Sequence, residues 1–327
     1  MKLEKFYRTA IEAGIRNDLR GADEVRKILA EENEKFKDLK DDEKKYYDPD
    51  KLFNPYADSR ILFAGDSEAE LEIRKIMVGI DIDPAELLLA YTLKRDRAEN
   101  IDLVLSHHPV GTAQAQLFDV MRLQAALLAK YGVTISVAEQ LMDKRISEIE
   151  RRLMPINHAR EVDAARLLGL PLMCLHTPAD NCVTSYLTKL FEREKPAKIR
   201  DLMKLLKGIP EYERAARLQN PAKVVSGAEG NSCGKIFVDM TGGTSGSKDI
   251  FDQVAAGGVS TIVGMHMTEE HLTNAKKANL NVVIAGHISS DVLGLNLLLD
   301  EVEKGGKLEY VAVSGFERIR RGSGLNT

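Results

Sequence analysis

The chain has little of what marks the specialised protein classes. Its three cysteines, Cys174, Cys182 and Cys233, are odd in number and form no CxxC pair. Neither a disulfide framework nor a zinc ribbon is expected, so any metal must be held by histidine and carboxylate. There is no excess of positive charge: the net charge is -4 and the pI about 6.1, which leaves no electrostatic footprint for nucleic acid. Long apolar runs are also missing from the start of the chain. The opening MKLEKFYRTAIEAGIRNDLR interleaves charged and apolar residues, unlike a signal peptide or a membrane span. A soluble, cytoplasmic protein with no membrane partner is expected. No repeat of fixed period and no low-complexity tract interrupts it.

What is present is an ordinary globular composition, 44% hydrophobic and 29% charged over 327 residues, long enough for about two domains. Residues 1–70 read as a helical extension, two amphipathic patterns followed by a charged run in which Pro49 and Pro55 end any helix. Phe6, Tyr7, Ile11, Ile15 and Leu19 recur at helical spacing. Packing into the chain's own core is the expectation for them, docking on a neighbouring subunit the alternative. From Lys75 the pattern alternates between strands and helices: KIMVGID, then PAELLLAYTLKRDR with Pro84 opening the helix, then IDLVLSHH. Further strands are expected at VTISVAE, LPLMCLHT, AKVVSGAE, KIFVDM, STIVGM, LNVVIAG and KLEYVAVSGF, and helix over Ser147–Leu168 with a break at Pro155. This is an α/β protein of two lobes, joined near residues 200–222, where Pro196, Pro210 and Pro221 mark joints.

Four of the seven histidines stand at expected strand ends: His107 and His108 in LSHHP, His176 in CLHTPAD, His287 in AGHISSD. The carboxyl ends of strands form the functional rim of an α/β sheet. Each motif alone has a plainer explanation. Asp180 can be the N-cap of a helix beginning at NCVTSYL, and Ser289 or Ser290 can cap the helix that contains Asp291. Together the motifs offer imidazoles and carboxylates without thiolate, a donor set for Zn, Fe, Mn or Ni, in numbers that suit two ions about 3.5 to 4 Å apart. Two metals would activate water for hydrolysis. The competing readings are a metal-binding or interaction scaffold without turnover, and a scaffold that binds no metal.

The order KIMVGID, LSHHP, HTPAD and GHISSD resembles the Nif-three-like family, also catalogued as GTP cyclohydrolase type-two homologs. There a strand ending in HHP is followed by HTxxD and a late GHxxxE. The resemblance covers about residues 72–319. It implies a Nif-three-like fold with two α/β lobes of mixed sheets flanked by helices. Residues 71–200 and 281–327 would form a metal-site domain around an inserted inner domain, 201–280. It also implies a dinuclear centre of two divalent ions held by His107, His108, Asp180, His287 and Asp291. His176 would stand beside it as a catalytic acid or base, in a toroidal homohexamer acting on a small-molecule substrate, a nucleotide by the family's label. Three features depart from the family pattern: Asp291 stands where Glu is usual, a helical stretch including RRLMPINHAREVDAARLLG is added, and residues 1–70 have no counterpart.

DMTGGTSGSKD, Asp239 to Asp249, follows a strand and is read as a turn in preference to an anion site. His266 can face the same cavity as the other strand-end histidines. His158 and His271 are not expected there, and Cys182 is expected in a buried helix.

Overall fold

The computed structural model describes residues 1–65 and 71–321. Residues 66–70, at the end of the expected extension, and 322–327, at the end of the expected metal-site domain, lie outside the described residues. Two mixed sheets are flanked by helices. The first contains β1 (Arg60–Phe63), β2 (Lys75–Gly79), β3 (Leu103–Ser106), β4 (Leu172–Cys174) and, last in the chain, β9 (Glu309–Ala312), in the order β1-β4-β3-β2-β9. All neighbours are parallel except β1, which runs antiparallel to β4. The second holds β5 (Lys223–Ser226), β6 (Lys235–Asp239), β7 (Val259–Gly264) and β8 (Asn281–Ile284) in the order β5-β8-β7-β6, with only β5 antiparallel.

Register decides where the functional ends fall. Gly79 pairs with Ser106 and Ser106 with Cys174, so β2, β3 and β4 finish level and the next residues of all three leave the sheet at one rim. The backbone amides of His107 and His108 still reach the carbonyls of Gly79 and Ile80, at 3.0 and 2.9 Å, so both histidines are fixed although the strand has ended. Pro84 opens the helix Pro84–Asp96 that joins β2 to β3, because its missing N–H costs nothing in the first turn.

The N-terminal helix packs into the chain's own core, as its apolar spacing leads one to expect. In the helix Leu3–Arg16, Phe6, Tyr7, Ile11 and Ile15 are buried in the core of the first lobe, each such side chain contributing roughly 1.5 to 3 kcal/mol of burial. That helix packs on the start of the helix Thr177–Glu194: a Cβ on Gly14 would lie 2.8 Å from Pro178 Cα. The expected all-helical character of residues 1–70 is corrected by β1, which pairs with β4. Helix Thr177–Glu194 in turn packs on helix His287–Glu303, and a Cβ on Gly294 would lie 2.5 Å from the Ala179 carbonyl oxygen. The contact sets the first turn of one helix against the second turn of the other.

Two further expectations are corrected. VTISVAE is not a strand, since its residues from Ile135 onward belong to the helix Ile135–Leu153. A short alternating run fits either period, and here Ala138, Met142, Ile146, Ile149 and Leu153 continue the buried face at helical spacing. The expected border at residue 281 falls inside the second sheet, because β8 pairs with β5 and β7. The break at Pro155 stands between Ile135–Leu153 and the helix Arg160–Leu168. Among the described residues, no helix is long and apolar enough to cross a membrane.

Candidate metal centre

The helix expected to begin at Asn181 begins at Thr177, with Pro178 in its first turn, so Asp180 is not its N-cap but lies one turn inside. Likewise Gly286, at φ 114, is the residue before helix His287–Glu303. Ser290 donates back to the Gly286 carbonyl at 2.6 Å and does not cap the helix. His287 and Asp291 are therefore one turn apart on one side, and both helices open toward the rim where β3 and β4 end.

Six side chains meet there. His107 Nε2 lies 3.5 Å from Asp180 Oδ1 and 3.5 Å from Asp291 Oδ1. His108 Nε2 is 3.5 Å from Asp291 Oδ2, and His287 Nε2 is 3.6 Å from the same oxygen. Asp291 thus stands between two groups of imidazoles, one oxygen turned to each. His176 Nε2 is 3.7 Å from Asp180 Oδ2. Three sets of side chains place one ligand atom each within 4.8 Å of the others: His107, Asp180 and Asp291; His108, His287 and Asp291; His107, His108 and His176. These groups can hold a metal ion.

The imidazoles are aimed. His107 Nδ1 donates to the Leu175 carbonyl at 3.2 Å, His108 Nδ1 to Asp81 at 2.7 Å and His176 Nδ1 to Asp58 at 2.8 Å. Each neutral ring then keeps its Nε2 lone pair free on the shared side, the arrangement in which an outer acceptor fixes the tautomer of a metal-binding histidine. Asp58 is wholly buried and also accepts from Thr177 Oγ1 at 2.6 Å. Asp81 ends the KIMVGID segment that carries the family resemblance, but Asp58 does not stand out in the sequence. YADSR carries no spacing signal, and Asp58 reaches His176 only because β1 pairs with β4.

Electrostatics marks the same atoms. Burial would push the His107 imidazole down, but the Asp291 and Asp180 carboxylates overcome it and hold it up, to about 10. Burial would raise Asp291, yet His107, His108 and His287 hold it well below the usual carboxylate range. Burial also lowers His287 against the pull of Asp291. His107 Nε2, Asp180 Oδ1 and both carboxylate oxygens of Asp291 are buried without a hydrogen-bond partner. Buried polar atoms are nearly always partnered, and leaving a carboxylate buried and unpaired is strongly unfavourable. Divalent cations held among these groups would give the four atoms the partners they lack, so the residues fit the ions that the donor set calls for.

A cleft runs from His176, Asp180 and His287 to the loop after β6, with about 660 Å3 of empty space, part of it open to solvent. His266 lines it, its ring 4.8 Å from that of His287. His271 lines it too, contrary to expectation, brought there by the helix Glu269–Lys277, which Thr268 caps. His158 lies apart, bonded to Gln114 and the Leu153 carbonyl. Cys182 packs in the core, its thiol pushed up to about 12 by burial.

No family model matches the chain, and no curated protein matches it. Solved structures do. A NIF3 superfamily protein from Sphaerobacter thermophilus is 28% identical, with a TM-score of 0.65, over 80% of this chain and 92% of that one. Reduced HcgD from Methanocaldococcus jannaschii is 18% identical, TM-score 0.48, over 76% and 86% of the two chains. A third structure, from Thermus thermophilus, is 14% identical, TM-score 0.45, over 83% and 92%. Fold and site together define an α/β protein with a buried histidine and aspartate cluster able to hold metal. The chain has the fold of a NIF3 superfamily protein, and its histidine motifs stand where the resemblance to the Nif-three-like family puts them.

Proposed function

We propose that this protein binds two divalent metal ions and is a metal-dependent hydrolase. The observation that carries the reading is Asp291, whose two buried oxygens have no protein partner and face separate imidazole groups. His107, Asp180 and Asp291 would hold one ion, and His108, His287 and Asp291 the other. Zn, Fe, Mn and Ni all suit these ligands. When bound, such a pair lowers the pKa of water and polarises the bond to be cleaved. The chain's own residues do the rest. Asp81 and Asp58 hold His108 and His176 in orientation, the walls of the cleft restrict water, and His176, on the cleft side, carries a proton to the leaving group.

The cleft favours catalysis over a structural role, because a structural site is closed by protein ligands whereas this cluster has one side open to a cavity. The second reading is a non-catalytic metal-binding scaffold assembled as a toroidal hexamer. Elemental analysis of untagged protein tests the centre: about two ions per chain in the wild type, and about one in each of His107→Ala and His287→Ala. Hydrolysis of phosphoester, amidine or cyclic amide substrates by wild type and not by His176→Ala separates enzyme from scaffold. Sedimentation at about six times the 36.3 kDa subunit mass tests the ring.

A further inference from the structure

The loop after β6, expected to be a plain turn, has four of its carbonyl groups held by side chains. Gln124 Nε2 donates to the carbonyls of Gly242 and Thr244 at 2.6 and 2.7 Å, Arg145 Nε to that of Ser245 at 3.0 Å, and His271 Nε2 to that of Gly246 at 3.1 Å. In a trans peptide the C=O and the next N–H point in opposite directions. The amides of Gly243, Ser245 and Gly246 therefore turn away from Gln124 and Arg145. All three residues line the cleft that reaches His176, Asp180 and His287, and their amides have no acceptor among the described residues. Gly242 and Gly243 sit at φ 103 and 83, and a Cβ on Gly242 would lie 2.6 Å from Gln124 Cγ. Glycine is thus what lets the loop fold flat onto the buried Gln124 and present its amides forward. Neighbouring backbone amides turned to one side of a loop form the kind of concavity that binds anions.

We infer that the amides of Gly243, Ser245 and Gly246 are an oxyanion subsite, and that the substrate carries a phosphate or carboxylate group held there while its scissile bond faces Asp180 and His176. The assignment to a substrate rests on the hydrolase reading; anion binding by the loop does not. Asp239 opposes the site. It lines the same cleft, burial holds its carboxyl up to about 6, and no cation among the described residues offsets it. Removing its charge must strengthen binding.

The test uses the full chain treated with chelator, so that no metal competes, titrated calorimetrically with inorganic phosphate, phenyl phosphate and benzoate. Saturable binding of at least one probe is expected, weakened about tenfold by Ser245→Pro, which removes one amide donor, and by Gln124→Ala, which frees two carbonyls. Asp239→Asn should tighten it roughly threefold or more. Phenyl phosphate bound in preference to benzoate assigns a phosphate-bearing substrate, the reverse a carboxylate; free phosphate bound as tightly as the ester assigns the anion itself. Thermal melts show which variants remain folded. No saturable binding of any probe overturns the inference, as does binding that Asp239→Asn and the folded loop variants leave unchanged. Metal content is measured separately, so failure here leaves the dinuclear reading standing and failure there leaves this one.

Discussion

Two buried polar clusters lie close together in the first lobe, and they are opposites. Around Arg60 every charge has a protein partner. Its guanidinium donates to Asp48 at 2.7 Å and to the Tyr56 and Ser59 carbonyls, both at 2.7 Å, while Tyr7 donates to Asp50 at 2.7 Å. At the strand-end rim, the more deeply buried His107 faces Asp180 and Asp291 at 3.5 Å each without a hydrogen bond to either. Burial of charge does not distinguish a site from a strut. Completeness of partnering does: the first cluster is finished by the chain itself, and the second is finished only by something added. Asp58 belongs to both worlds, bonded within the protein on one side and aiming His176 on the other.

This contrast can be broken in order of expected effect. Asp291→Ala removes the carboxylate common to both ligand groups, so metal content by elemental analysis should fall from about two ions per chain to near zero while the fold is kept; loss of one ion only would show that Asp291 is not shared. Arg60→Ala should do the reverse, lowering unfolding free energy in denaturant by about 1 to 3 kcal/mol because it takes the cation from the half-buried Asp48 and Asp50 and a donor from two backbone carbonyls, with metal content unchanged. Asp58→Asn should leave both ions bound and slow turnover by about 10- to 100-fold, and wild-type turnover would reduce Asp58 to a purely structural residue. The smallest effect is on pH. In metal-free protein the His107 imidazole is raised from 6.5 to about 10, so its ion pairs add stability that is fully present below pH 6.5 and lost as pH rises through about 10. Metal must displace that proton, so filling the His107 centre at about pH 8 should release about one proton, read by calorimetry in buffers of differing protonation enthalpy.

Much of the site was legible because strand-end histidines have few other reasons to recur. His107, His108, His176 and His287, with Asp180 and Asp291, converge as their motifs suggest, since strand end, turn and first helical turn are local and follow from Gly, Pro and apolar period. The legible part ended where partners came from afar. Asp58 reaches His176 across 118 residues, through a four-residue strand whose pairing no local pattern announces. His271 enters the cleft because of how one helix lies on the second sheet. VTISVAE misleads because a run so short cannot separate a period of two from one of about 3.6.

The sequence by itself determined the α/β class, the absence of paired thiolate ligands, and the residue types at each strand end, because those depend on short-range periodicity and on what side chains can donate. Only the tertiary structure decided that β2, β3 and β4 end level, that the helix Thr177–Glu194 starts against Gly294, and that the carbonyls of Gly242, Thr244 and Ser245 are held by Gln124 and Arg145. Register and close helix contact are set by packing across the whole core, where one missing Cβ or one distant carboxylate fixes which polar atoms are partnered and which are left facing a ligand.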